Sequence, residues 1–135
     1  MDNGMEWAQR AALNSKDPST QVGAAIFRGG SLVAAGHNHF PHGIPEEWWH
    51  DRPRKYQAVV HAEAAALLVA GLSASGGTMY VTHHPCPDCA KLIAAAGIAT
   101  VVCPAEPWRD DPAIRELCAS AAALLRLCGV EVRHA

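Results

Sequence analysis

The residues best suited to chemistry lie in two short segments, each placed where a helix is expected to begin. The first segment is His61-Ala62-Glu63 and the second is Pro85-Cys86-Pro87-Asp88-Cys89. Cysteines at positions i and i+3 share one face of a helix, so both sulfurs can reach one ion. The positive end of the helix dipole also favours the thiolate form that metals bind. The spacing predicts a metal site made of His61, Cys86 and Cys89.

This predicted site has three protein ligands, and the sequence offers no convincing fourth. Structural zinc sites usually close with four protein ligands, whereas catalytic sites keep one position for water, whose pKa zinc lowers to about 7. Glu63 lies in the first turn after His61, where it can move protons without binding the metal. The combination resembles the H-x-E and P-C-x-x-C signature of zinc-dependent deaminases, with Zn²⁺ as cofactor and Glu63 as the catalytic acid and base. A structural zinc site and a redox-active cysteine pair are the alternatives.

The elements that position these segments alternate between helices and single strands. Periodicity and turn residues predict helices over 5–14, 60–69 and 86–96, a last helix from 111 to a stop at Gly129, and strands over 21–27, 32–36, 78–82, 100–103 and 130–132. The stretch 37–57 is expected to be a long irregular binding loop. Such alternation implies crossover connections and largely parallel later strands. The predicted fold class is α/β, a three-layer α/β/α sandwich with a mixed five-stranded sheet, in one domain over residues 1–135.

Composition indicates where the protein is located in the cell and which classes of partner it binds. The formal net charge is −2 with histidine neutral, which argues against a nucleic-acid polymer as substrate. No apolar run reaches the roughly 18 residues of a membrane span, and the N-terminus does not resemble a signal peptide, so we expect no membrane partner and a cytoplasmic location. Five cysteines in a reducing compartment do not predict disulfides. Cys103, Cys118 and Cys128 are expected to be small buried hydrophobes.

Beyond the metal-binding segments, the chain resembles the cytidine and deoxycytidylate deaminase superfamily, and most of all its dCMP deaminases. The resemblance spans roughly residues 5–132 and rests on segments 15–24, 36–43, 55–63 and 79–98. It implies a cytidine deaminase-like fold and the hydrolysis of dCMP to dUMP and ammonia. The chain departs from the family pattern at His39, where glycine is usual, and at His83-His84, where an apolar residue usually precedes the Pro-Cys pair.

The same resemblance implies a set of substrate contacts. Asn38 would bind the sugar and Trp108 would border the base, while Ala62 would offer its N–H to the base carbonyl and His84 its C=O to the leaving amine. Lys16, or the cluster of Arg52, Arg54 and Lys55, would meet a phosphate. Plain structural roles are the alternatives: a turn for Asn38, an interface anchor for Trp108 and a solvated surface for the basic residues.

Several interpretations of function stay open. The alternative substrates for a deaminase of this type are a nucleoside, a free base such as cytosine or guanine, a modified pyrimidine and a tRNA adenosine. The negative net charge of the chain disfavours the tRNA substrate. A non-catalytic, zinc-stabilised binding module is the alternative outside enzymes. Exposed Trp48 and Trp49, the apolar helix 114–127 and the resemblance together predict a homo-oligomer, either a dimer or a hexamer.

Overall fold

The computed structural model describes residues 3–135, which form a mixed five-stranded sheet with helices on both faces. The helices are α1 Gly4–Ala12, α2 Arg52–Ala58, α3 Ala62–Ala70, α4 Pro87–Ala95 and α5 Pro112–Leu127. The strands are β1 Gly23–Arg28, β2 Ser31–His37, β3 Thr78–Val81, β4 Thr100–Cys103 and β5 Glu131–His134. Short 3₁₀ helices cover Glu46–His50 and Gly71–Ala74. The predicted fold class is confirmed.

The sheet has the strand order β2-β1-β3-β4-β5, and its two halves differ in direction. β1 pairs antiparallel with both β2 and β3, and the β1–β2 hairpin turns through Gly29 and Gly30, whose φ values are 60° and 80°. The pairs β3–β4 and β4–β5 are parallel, as the alternating elements predicted. Because right-handed crossovers in the same direction place their helices on one face, α4 and α5 lie side by side.

Alternating side chains of β1 separate two cores. Ala25 and Phe27 pack with Ala8 of α1 on one face of the sheet. Ala24 and Ile26 point to the other face, because successive strand residues alternate. That larger core is completed by residues of β3, β4, α3, α4 and α5, among them Met79, Val101, Ala66, Ile93 and Leu125. Since α3 and α4 share this face, their first turns can meet at one edge of the sheet.

The stretch 37–57 is more ordered than the sequence predicted, because α2 begins within it. Asp51 accepts a hydrogen bond from the Arg54 backbone N–H at 3.4 Å, which caps α2. Pro53 stands in the first turn, where its missing N–H costs nothing. Pro53 therefore belongs to the first turn of a helix within a stretch that was expected to be irregular.

Two predictions about exposure were wrong. Trp49 is 7% exposed and stacks on Phe40 with ring centroids 3.8 Å apart, while Trp48 is half-buried, so neither is the exposed anchor expected for assembly. Cys128 is exposed rather than buried, whereas Cys103 and Cys118 are buried as expected. Periodicity in the last helix did not reveal that Cys128 lies beyond its final turn.

Exposed apolar side chains concentrate where α3 ends. Leu68, Val69 and Leu72 are 78%, 71% and 97% exposed. Within residues 3–135, no helix combines the length and the apolar character that crossing a membrane requires.

Candidate functional site

The three predicted metal ligands meet where α3 and α4 begin. Nδ1 of His61 lies 3.2 Å from Sγ of Cys89 and 3.7 Å from Sγ of Cys86. All three ligand atoms lie within 4.8 Å of one another, and no other such group of His, Cys, Asp or Glu occurs in residues 3–135. Ligand atoms about 2.0–2.3 Å from a tetrahedral zinc stand roughly 3.5–3.8 Å apart, so the donor set and its spacing fit Zn²⁺.

The starts of the two helices explain why these side chains converge. His61 directly precedes α3 and Cys86 directly precedes α4, and both have extended backbone with ψ values of 153° and 168°. Neither side chain caps its own helix, so the imidazole and the thiol remain available to an ion. Pro87 opens α4 and places Cys89 in its first turn.

Contacts among His61, Cys86 and Cys89, which we call the metal trio, shift the pKa values of these side chains. The hydrogen bond from Cys89 lowers the pKa of the Cys86 thiol to about 4. The same contact, together with burial, raises the pKa of Cys89. The contact with Cys86 also raises the pKa of His61. The three side chains therefore hold a proton that a divalent cation can displace, which is how metal binding and proton release are linked.

Glu63 has the setting of a proton-transfer group. Its side chain lies in the first turn of α3 and the residue is 5% exposed. Burial raises the pKa of its carboxyl group. A buried carboxyl with a raised pKa beside a metal-binding trio is typical of a group that takes and returns protons in catalysis.

The trio opens into a cavity of about 920 Å³, which we call the main cavity. His61, Glu63 and Cys86 line it. Four of the five predicted substrate contacts line it as well: Asn38, Ala62, His84 and Trp108. A cavity of this size, in which polar and charged groups converge among apolar side chains, is typical of a small-molecule site.

Lys16, the fifth predicted contact, does not lie in the main cavity. It lines a separate cavity of about 450 Å³ together with His37, His39 and His42. Its ammonium lies 3.7 Å from Glu46, and its side chain is 76% exposed. The structure therefore does not bring Lys16 together with the metal trio.

Asn38 is 5% exposed and its amide is already engaged inside the protein. Oδ1 accepts a hydrogen bond from the Val22 N–H at 2.9 Å. Nδ2 donates to the Thr20 carbonyl at 2.9 Å and to Asp17 at 3.2 Å. These bonds match the turn-holding alternative for Asn38, and a sugar contact would have to share an amide that already holds the segment 17–22.

Asp17 is the centre of this network. Its carboxylate accepts from the backbone N–H groups of Ser19 and Thr20 and from Asn38. The Lys55 ammonium donates to the same carboxylate at 2.9 Å, with the Asp17 and Lys55 side chains only 3% and 14% exposed. The pair ties α2 to the segment 15–22 and forms one wall of the main cavity. Sequence reasoning placed Lys55 among phosphate ligands and missed its partner, because they lie 38 positions apart.

Two further cavity-lining residues were missed or left without a role. Arg109 lines the main cavity but was not predicted as a site residue. Its position directly after Trp108, a predicted base contact, is the sequence signal that could have indicated it. His83 also lines the cavity, with Nδ1 3.1 Å from the Thr82 hydroxyl, and burial lowers its pKa. Arg54 lies outside the main cavity, with its guanidinium 3.5 Å from Asp51 and over the Trp48 ring.

Comparison with protein families matches residues 1–105 to the cytidine and deoxycytidylate deaminase zinc-binding region. Two similar sequences are an uncharacterized deaminase in the luxG 3'region of Aliivibrio fischeri, 46% identical over 67% of this chain, and a probable deoxycytidylate deaminase of Drosophila melanogaster, 36% identical over 92%. The chain spans 62% and 66% of the lengths of these relatives. The crystal structure of dCMP deaminase from cyanophage S-TIM5 with dCMP and dUMP superposes with a TM-score of 0.74 at 31% identity, covering 97% of this chain and 93% of that one.

Proposed function

The chain belongs to the cytidine and deoxycytidylate deaminase family, and from this premise we propose that it hydrolyses dCMP to dUMP and ammonia. The observation that carries the proposal is the placement of buried Glu63 beside a three-ligand metal trio at the wall of a large cavity. Three ligands leave a position for water, and the buried carboxyl supplies proton transfer. The relatives described as deoxycytidylate deaminases support dCMP as the substrate.

In this proposal His61, Cys86 and Cys89 hold Zn²⁺, the cofactor that the family and the donor set both indicate. When bound, zinc supplies a Lewis acid that lowers the pKa of water and makes it a nucleophile at neutral pH. The helix starts keep the three side chains in place before the ion arrives. The two thiols and the imidazole thereby lose little conformational freedom on binding.

Glu63 carries the protons in the proposed reaction. Its carboxylate accepts a proton from the attacking water, and its protonated form then donates to the ring nitrogen of the cytosine. The carboxylate then takes the remaining proton from the hydroxyl that has added to the ring carbon and passes it to the exocyclic amine. As the new carbonyl forms, the C–N bond breaks and ammonia leaves, so the carboxyl ends the cycle in its starting state. Its burial next to the trio keeps bulk water from competing for these protons.

The remaining predicted residues orient the base. The Ala62 N–H is proposed to bind the base carbonyl, the His84 C=O to accept from the amine, and Trp108 to border the ring. All three line the main cavity, and Ala62 and His84 are buried. Asn38 shapes the sugar end, either directly or by holding the segment 17–22.

Ammonia release tests the proposal with a panel of dCMP, deoxycytidine, cytosine and guanine. We expect the highest kcat/KM for dCMP. Equal or faster turnover of an unphosphorylated compound refutes the nucleotide assignment but leaves a deaminase. No ammonia from any compound in the zinc-loaded protein favours a zinc-stabilised binding module.

We also propose that the protein assembles as a homo-oligomer, a dimer or hexamer. The support is the exposed apolar patch of Leu68, Val69 and Leu72, since patches of this kind mark interaction surfaces. Light scattering at micromolar concentration tests it, and a clean monomer contradicts it. A cytoplasmic location stays a prediction, consistent with the need to keep Cys86 and Cys89 reduced for metal binding.

A further inference from the structure

His83 brings to the main cavity an imidazole that the proposed reaction does not use. It lies between β3 and the start of α4, three positions before the metal ligand Cys86, and it is half-buried. Nδ1 lies 3.1 Å from the Thr82 hydroxyl, which also accepts a hydrogen bond from the Gly23 N–H at 3.1 Å. These contacts connect the ring to the start of β1 and hold it at the cavity wall.

The same contacts decide which ring nitrogen carries the proton. The Thr82 hydroxyl accepts from Gly23 and still has its own proton to donate, and Nδ1 of His83 is its only recorded acceptor within residues 3–135. Donation to Nδ1 leaves the ring proton on Nε2. Burial lowers the pKa of His83, so the ring is neutral at neutral pH and Nε2 is an uncharged hydrogen-bond donor.

This donor is not used inside the protein. Among the residues that the structure describes, Nε2 of His83 has no hydrogen-bond partner. No buried side-chain nitrogen or oxygen in that part of the chain lacks a partner, so Nε2 is accessible rather than buried. Because His83 lines the main cavity, the donor opens into the space where the base is proposed to bind.

The contacts of the proposed reaction assign the edges of the pyrimidine to different walls. Ala62 and Glu63, at the start of α3, take the base carbonyl and the ring nitrogen N3, while the C=O of His84 takes the exocyclic amine. C5 is the ring carbon next to the aminated carbon, on the side away from N3. The C5 edge is therefore left to the wall that leads into His84, where His83 stands.

We propose that His83 determines specificity at C5 of the pyrimidine and favours a substituent that accepts a hydrogen bond, such as hydroxymethyl, over a methyl group. This inference rests on the proposed function, because it names a further part of the same substrate. A hydroxymethyl oxygen pairs with the Nε2–H of His83, whereas a methyl group covers this donor and leaves it unpaired. A covered donor without a partner is costly, and a paired one is not.

The test compares His83→Asn with His83→Gln, since the two amides reproduce different ring nitrogens. Asparagine places its side-chain oxygen near the position of Nδ1 and keeps the Thr82 contact, but it has no group at the position of Nε2. Glutamine places its NH₂ group near Nε2 and keeps the donor. His42→Asn is the control, because His42 lines the separate cavity. Zinc content and Tm establish that each variant is folded.

The readout is the kcat/KM for 5-hydroxymethyl-dCMP divided by that for 5-methyl-dCMP, two substrates of similar size. We expect a ratio of about 3 to 10 in the wild type, the usual contribution of one neutral hydrogen bond. His83→Asn is expected to lower the ratio to about 1, whereas His83→Gln and His42→Asn keep most of it. A wild-type ratio near unity, no change in His83→Asn, or equal losses in both His83 variants would overturn the proposal.

Calorimetry with reaction products supplies a readout that does not depend on turnover. We expect 5-hydroxymethyl-dUMP to bind the wild type about 3- to 10-fold more tightly than its 5-methyl counterpart, dTMP, and His83→Asn to remove the difference. A wild-type protein that releases no ammonia but shows this difference overturns the proposed reaction and upholds the role of His83. Ammonia release from dCMP without such a difference upholds the reaction and overturns the role of His83.

Discussion

The main cavity has two walls built on different physical principles. The chemical wall consists of the starts of α3 and α4, where His61, Cys86 and Cys89 converge over short, local segments. The second wall consists of residues in the segment 17–22 and in α2, held by the buried pair of Asp17 and Lys55. The first wall depends on helix starts and on the metal, and the second on a long-range polar network. The comparison predicts that changes to the first wall alter reactivity and changes to the second alter substrate fit.

The largest expected effect comes from removing a metal ligand on the chemical wall. Cys86→Ala and Cys89→Ala are expected to lose the zinc, all measurable turnover and much thermal stability, because the metal joins the starts of two helices. Zinc content per chain, together with Tm, measures this. Cys128→Ala is the matched control, since that thiol is exposed and far from the trio in sequence. Full zinc retention in both ligand variants would rule out the assigned site.

Glu63→Gln, on the same wall, is expected to remove catalysis and to leave metal binding intact. The amide preserves size but cannot accept the proton, so kcat falls by about 10²–10⁴-fold or more while zinc content and Tm stay near wild type. Steady-state ammonia release and metal analysis of one preparation measure both quantities. Turnover within about tenfold of wild type would mean that another group transfers the protons.

Lys55→Met tests the second wall. It leaves the Asp17 carboxylate buried without its cation, and we expect about 1–3 kcal/mol lower stability, less than for a fully buried pair because Lys55 keeps some exposure. The segment 15–22 loosens, so KM rises while zinc content holds. Urea unfolding and steady-state kinetics check the two effects. A variant that loses zinc along with substrate affinity would show that the walls are not independent.

Lys16→Met has the smallest expected effect and sets the boundary of the substrate site. Its ion pair with Glu46 is exposed, so stability should change by less than about 0.5 kcal/mol. Because Lys16 lines the separate cavity, kcat/KM for dCMP is expected to stay within about twofold of wild type. A large, phosphate-specific loss would instead place Lys16 in the substrate site of the working protein.

Local signals predicted much of the fold. The β4 strand over residues 100–103 was predicted with its observed bounds, and the helix predicted over residues 60–69 is observed as α3, Ala62–Ala70. Helix α2 was missed, because its cap Asp51 and its early proline are short signals within a proline-rich stretch. Trp49 was expected to be exposed, because no local sequence pattern indicates that it stacks on Phe40.

By itself, the sequence determined the chemistry of this protein. A histidine, a glutamate and two cysteines at fixed spacing predict the metal site, because a helix start converts sequence spacing directly into a shared face. Only the tertiary structure decided which charged side chains line the main cavity. The sequence does not distinguish Lys16 from Lys55. The structure pairs Lys55 with buried Asp17 in the main cavity and places exposed Lys16 near Glu46 in a separate cavity. The strength of a charge–charge interaction depends on the distance between the two groups in the folded protein, and a local sequence pattern does not determine that distance.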